Sequence, residues 1–363
     1  MELALYWPLH GYYPTLTNTN RIKDFITSPK THPLFATMIC KQIHEMWEKL
    51  NKPENFLVID YGGGDGTLIK DIINVSEQFE EQFKSSLKFT IIEKLTENSL
   101  SDDSIIGCIL ANELFDAFPV RKFKKHDDLI YESFITIHNS QLEERYSLIN
   151  NQNLITILEE RLGLKENGQI IEFNDGIEPW FLNIAKKLKK GFVLIFDYGY
   201  KDKKELLKKW KHGTIVAYKN HRETFDLLTD VGEKDITTFI PFEEVKLAAL
   251  KTGFKTVGIT KQSEFLINLG ALNLISQLRE MNLPQEILES NILSAMYLLK
   301  EEELGQLTVL GFQKNLDVID LQGFKQRTSN FSNMNIKFPL LKSHHANLKE
   351  SKYPFNMNLK NYL

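Results

Sequence analysis

Residues 56–72 read FLVIDYGGGDGTLIKDI. FLVID at 56–60 is a continuous apolar run of strand length, and the segment from Thr67 to Ile73 has helical character. Between them, Tyr61-Gly62-Gly63-Gly64-Asp65-Gly66 makes a tight turn whose backbone N–H groups can meet a ligand oxygen without side-chain obstruction. The spacing Gly62-x-Gly64-x-Gly66 is not the dinucleotide fingerprint, which places two residues between the second and third glycines. A phosphate loop is excluded as well, because no Gly-Lys-Ser/Thr follows. This spacing disfavours a nicotinamide-dependent oxidoreductase.

Working outward, a second strand is expected at 88–92, ending at Glu93, and a third at 105–110, ending at Asn112-Glu113. GFVLIFD at 191–197 is another strong strand, with later ones at 254–259 and 307–312. A helix over 33–50 carries Phe35, Ile39, Ile43, Met46 and Leu50 at three- and four-residue intervals. Continuous apolar strands alternating with helices predict an α/β sheet covered on both faces. The interval 121–187 breaks the rhythm and reads as an inserted lobe. The expected plan is an amino-terminal arm and helix over 1–50, a main domain over 51–120 and 188–314, and that lobe between them. Helical segments at 263–303 are expected to cover part of the site, and 315–363 forms an irregular carboxy-terminal extension.

Strand ends carry the chemistry in such folds. Glu93, at the end of the second strand, either receives ribose hydroxyls or is an exposed strand-end charge. Asp60 either accepts hydrogen bonds from the glycine turn or meets a cofactor's ammonium group. LANELFDAFPVRKF at 110–123 brings Asn112, Glu113 and Asp116 to the end of the third strand. If the chain turns there, the carboxylates can grip a cationic substrate; if a helix starts there, they cap it. Pro119 favours the turn. Tyr198, His221-Arg222 and Gly232–Thr237 occupy other segments with polar and aromatic groups.

The ordered blocks resemble the MidA-like methyltransferase family, also described as the mitochondrial complex I assembly factor 7 family. They are MELALYWPLHGYYP, DFITSP at 24–29, DYGGGDGTLIKDI, IIEKL, NELFDAFPVRKF, VLIFDYGY, GTIVAY, GEKDIT, QSEFLINLGAL and LTVLGFQ, spread over residues 1–314. The resemblance implies a class I methyltransferase, Rossmann-like fold with one antiparallel edge strand. It places Gly62, Gly64, Gly66 and Glu93 at S-adenosyl-L-methionine, with Asn112, Glu113 and Asp116 near the reactive end. Asp24, Phe25 and Thr27 are expected to fold over the pocket. For mitochondrial relatives it implies protein-arginine methylation during assembly of respiratory complex I, hence a protein substrate and an assembly partner. Asp60, Lys23 and Lys30 depart from the family's usual Glu, Gly and Glu.

A formal charge of only −4 argues against whole-surface attraction to nucleic acid. The lysine runs KKLKK at 186–190 and KDKKELLKKWK at 201–211 read as solvated helix faces. Cys40 and Cys108 sit in apolar surroundings with no CxxC partner, so buried thiols are expected and no metal site is. No run is long enough to span a bilayer, and the start lacks a secretory or mitochondrial targeting pattern, so a cytoplasmic protein is expected. The alternatives to arginine methylation are transfer to another protein side chain, RNA or a small molecule, and a binding protein that keeps the fold without turnover.

Overall fold

A strand without polar alternation needs cover on both faces, and Phe56–Tyr61 has it: all but Leu57 are buried. The computed structural model describes residues 1–15, 26–93, 100–219, 222–317, 319–325, 336–346, 348 and 349. They divide into two compact units. One comprises 25–114, 182–197 and 249–363; the other comprises 1–24, 115–181 and 198–248.

The first unit is built on a six-stranded sheet. It joins β1 (Phe56–Tyr61), β2 (Leu87–Ile92), β3 (Ile105–Asn112), β8 (Leu188–Asp197), β14 (Lys255–Lys261) and β15 (Thr308–Lys314). Their spatial order is β14-β15-β8-β3-β1-β2. β2, β1, β3 and β8 are parallel neighbours, with Asp60 opposite Ile91 and Leu110, and Asn112 opposite Phe196. Their carboxyl ends therefore form one rim. The antiparallel strand differs from expectation in position: β15 lies inside the sheet, pairing with both β8 and β14, and β14 takes the edge. Its fully buried Val309 and Leu310 fit an interior place, whereas β14 is largely exposed along its length. Helix Leu34–Lys49 buries Phe35, Ile39, Ile43 and Met46 completely, and Phe35 meets Phe196 edge-on at 5.2 Å. Helices Gln262–Asn268, Ala271–Gln277 and Gln285–Tyr297 complete the cover.

The second unit holds a four-stranded antiparallel sheet, β6-β5-β4-β7. Its strands are β4 (Arg121–His126), β5 (Leu129–His138), β6 (Gln141–Leu148) and β7 (Ile170–Phe173). LITILEERLGL packs Leu158 and Leu164 against Phe123 and Ile171 of this sheet. Its helix, Gln152–Thr156, is capped by Asn151 and widens into a π turn over Ile157–Arg161. Smaller sheets add β9 (Gly199–Tyr200) with β13 (Ile240–Pro241), and β10 (Val216–Lys219) between β11 (Arg222–Thr224) and β12 (Asp235–Thr237). KKLKK is not a helix face throughout, because helix Ile177–Lys187 ends inside it and β8 begins at Leu188. Cys40 and Cys108 are both buried, and burial pushes each thiol up.

Candidate cofactor site

β1 delivers Asp60 to the rim at 2% exposure. Burial, then the nearby Glu93 charge, pushes its carboxyl up to about 7. The chain then turns through Gly62, Gly64 and Gly66, at φ 71°, 59° and 76°. These angles lie in the left-handed region that side chains disfavour. A Cβ on Gly63 would stand 2.5 Å from Asp60 Oδ2, and one on Gly66 2.8 Å from Ile91 Cδ1. The turn is thus packed against the carboxyl end of the sheet, with no room for a side chain at Gly63 or Gly66. Gly64 N–H donates to Glu93 Oε1 at 2.7 Å, so the strand-end carboxylate is fixed beside the turn.

Asp65 lies two residues before the following helix, Thr67–Ser76. Its Oδ1 accepts from Thr67 N at 3.1 Å and Thr67 Oγ1 at 2.7 Å, and Lys30 forms an ion pair with its other oxygen. Burial opposes ionisation of Asp65, but hydrogen bonds from Lys30 and Thr67 and the Lys30 charge hold its carboxyl at about 2. Neither residue was singled out from sequence for this contact. The only local signal is Asp-x-Thr at the helix start, a side-chain capping pattern. Of the DFIT block, Asp24 and Phe25 lie outside the described residues; Thr27 precedes helix Ser28–Thr31, which contains Lys30.

At the end of β3, Asn112 Nδ2 donates to Glu113 Oε1 at 3.1 Å. Asn112 Oδ1 is buried and has no hydrogen-bond partner among the described residues. Glu113 holds φ 49°, and its N–H donates to Phe196 O at 2.8 Å. The chain turns at once, so the helix-cap alternative for Glu113 and Asp116 falls. A Cβ on Gly62 would lie 3.0 Å from Leu114 Cδ1, which sets this turn directly against the glycine turn. Asp116 belongs to the other unit. There its Oδ2 accepts from Thr237 Oγ1 at 2.9 Å and its carbonyl accepts from Thr238 N at 3.0 Å. Burial raises its carboxyl to about 6. Tyr198 is half-buried, with its ring 6.3 Å from Phe239, and His221 lies outside the described residues.

Sequence reasoning missed a second cluster behind this rim. Asp71, on helix Thr67–Ser76, is 1% exposed and accepts from His345 Nε2 at 2.7 Å and Lys342 Nζ at 3.2 Å. His344 Nε2 lies 3.3 Å away. These groups have metal-ligand types, but His345 Nδ1 accepts from Lys342 N at 3.1 Å. That bond places the ring proton on Nε2, facing Asp71, and an ammonium shares the same carboxylate. The cluster is an ion-pair clamp that ties segment 336–346 to the helix leaving the glycine turn.

A parallel sheet with an internal antiparallel strand, an acidic residue ending β2 and a glycine turn after β1 define a class I methyltransferase fold. The family model described as "Putative S-adenosyl-L-methionine-dependent methyltransferase" matches residues 38–99 and 95–260, and the chain belongs to this family. Its cofactor is S-adenosyl-L-methionine. The residues suit that group: the backbone-lined turn would face it, with Asp60 and Glu93 as acceptors on either side. Relatives include the Drosophila melanogaster mitochondrial protein arginine methyltransferase NDUFAF7 homolog, 25% identical over 337 residues, covering 80% of this chain and 75% of that one. The Homo sapiens mitochondrial protein arginine methyltransferase NDUFAF7 is 25% identical over 313 residues, covering 74% and 68%. A solved methyltransferase-like structure from Burkholderia thailandensis, bound to S-adenosyl-homocysteine, superposes with TM-score 0.74 at 19% identity, covering 91% and 90%. These relatives correct the cytoplasmic expectation, since the curated proteins are mitochondrial by name. The reason is that a start without a targeting pattern does not locate a protein. Among the described residues no helix is long and apolar enough to cross a membrane.

Proposed function

We propose that this protein transfers a methyl group from S-adenosyl-L-methionine to an arginine of a protein substrate. The observation that carries the reading is the pair at the end of β3: a buried Asn112 Oδ1 without a donor, beside the Glu113 carboxylate and against the glycine turn. A guanidinium presents several N–H donors in one plane and keeps its charge, so it matches an amide oxygen next to a carboxylate. The names of the relatives support arginine, a protein partner and a mitochondrial setting.

When bound, the cofactor supplies an electrophilic methyl group. Gly62, Gly64 and Gly66 would give it a backbone-lined bed, Glu93 would accept from its ribose hydroxyls, and Asp60 would meet its ammonium. Asn112 would orient the guanidinium, and the Glu113 carboxylate would pair with its charge and accept the proton that the attacking nitrogen loses. Holding the nucleophile in line is the larger part of the work. The Asp116 carboxylate already accepts from Thr237, and we assign it to holding its own turn.

Glu113→Gln tests this, because it keeps shape and removes charge. With S-adenosyl-L-methionine affinity unchanged, protein methylation should fall by about tenfold or more. Unchanged turnover and unchanged substrate affinity would refute the assignment.

A further inference from the structure

The β5–β6 hairpin leaves an edge, exposed along most of β6, that the other described residues do not cover. Asn139 and Ser140 turn it at φ 49° and 61°, the two-residue form whose twist suits a hairpin. In that form His138 and Gln141 exchange hydrogen bonds, and every second pair after them does the same. Leu142, Glu144, Tyr146 and Leu148 therefore aim their backbone N–H and C=O groups away from β5. β6 is the terminal strand of its sheet among the described residues. The same residues lie on one face with Ile135 and Ile137, which are 52% and 73% exposed. Leu142, Tyr146 and Leu148 are 39%, 37% and 46% exposed. An eight-residue edge without proline, flanked by an apolar stripe, is a surface made to pair.

We propose that β6 pairs antiparallel with β6 of a second copy of this chain, making one continuous sheet across a two-fold axis. The register follows from the side chains. Residues opposite each other must share a face, so the two numbers must sum to an even value. With Glu144 on the axis, Glu143 stands opposite the partner copy's Arg145, and Leu142 opposite its Tyr146. Symmetry repeats both pairs. Glu144 meets its own copy, but its charge is already matched by Lys122 Nζ at 2.9 Å, and Ser133 donates to the same oxygen at 2.5 Å. Within one chain Arg145 Nη2 already donates to Glu143 Oε2 at 3.1 Å, and this register lets the two copies share that pair across the seam. Placing Arg145 on the axis instead opposes two arginines and sets Glu143 opposite the partner copy's Ser147. Charge complementarity thus selects both the occupant and the register.

Light scattering on the purified full chain gives the test. The wild type should show about twice the 42.2 kDa chain mass at micromolar concentration. Glu143→Arg and Arg145→Glu each oppose like charges, and each should shift to one chain mass. Mixing those two variants should restore the doubled mass, as should the double swap E143R/R145E. Both side chains are exposed, at 48% and 57%, and each variant should bind S-adenosyl-L-methionine as the wild type does, which reports an intact fold. A wild type at one chain mass overturns self-pairing and leaves the edge to another protein's strand. A doubled mass that neither single variant changes places the dimer on another surface and equally overturns the proposal.

Discussion

Replacing Asp60 with Asn should make the ligand-free protein more stable and its grip on S-adenosyl-L-methionine weaker. Asp60 is 2% exposed, and burial, with the Glu93 charge, moves its carboxyl from 3.8 to about 7. An acid whose folded value is raised holds its proton more tightly when folded. It therefore costs no stability below the unfolded value, and the cost grows as pH rises toward the folded value. The displacement corresponds to at most about 4 kcal/mol once pH passes about 7. Asn removes the ionisation and most of that cost. The advantage of Asp60→Asn should be small below about pH 4, grow as pH rises from there and approach its maximum near about pH 8. Cofactor affinity should move the other way: loss of a charged acceptor costs about 2 kcal/mol, or roughly thirtyfold. Wild-type affinity should fall as pH drops through about 7, while that of the variant stays flat in this range. Urea denaturation across the pH series, paired with calorimetric titration, measures both. A variant with no growing stability advantage as pH rises would show that ionised Asp60 carries no burial cost in the folded protein.

Gly66→Ala should cost about 1–2 kcal/mol in urea denaturation, because φ 76° is strained for alanine and the added Cβ would meet Ile91 at 2.8 Å. Lys30→Glu sets a like charge against Asp65 and should weaken cofactor binding about tenfold by calorimetry. Adding Asp65→Lys to that variant restores the ion pair in reverse and should recover much of the loss. Asp71→Asn should cost on the order of 2–3 kcal/mol by leaving the buried His345 contact without its carboxylate. Although burial acts to raise the Asp71 carboxyl, His345 and Lys342 hold it below its usual value. Its contribution is therefore present above about pH 4 and lost below that, and the variant should lack this acid-side decline in denaturation.

The rim formed by the glycine turn and the strand ends was legible because its parts are local or periodic. Gly62–Gly66 are adjacent in sequence, and Glu93 and Asn112 stand at the ends of short β-branched-rich runs of strand length. NELFDAFP was ambiguous, since the same carboxylates suit a helix start and a turn. The left-handed backbone at Glu113 decides for the turn, and single-sequence patterning does not encode that angle. The Asp71–His344 approach joins residues 273 apart, with no spacing to announce it. Lys30 and Asp65 were each visible, yet nothing short of the folded chain pairs them. The interior place of β15 was hidden for a similar reason: its hydrophobicity foretells burial, but not which two strands it separates.

Labelled transfer in an extract of the protein's own cells tests whether protein arginine is the methyl acceptor. Purified chain and methyl-labelled S-adenosyl-L-methionine are incubated with that extract, and the labelled proteins are hydrolysed to amino acids. Transfer to protein arginine puts the label in methylarginine, strongly reduced for Glu93→Ala and for Glu113→Gln. Label confined to RNA, small molecules or another amino acid, or no label from a wild-type chain that binds the cofactor, would contradict it.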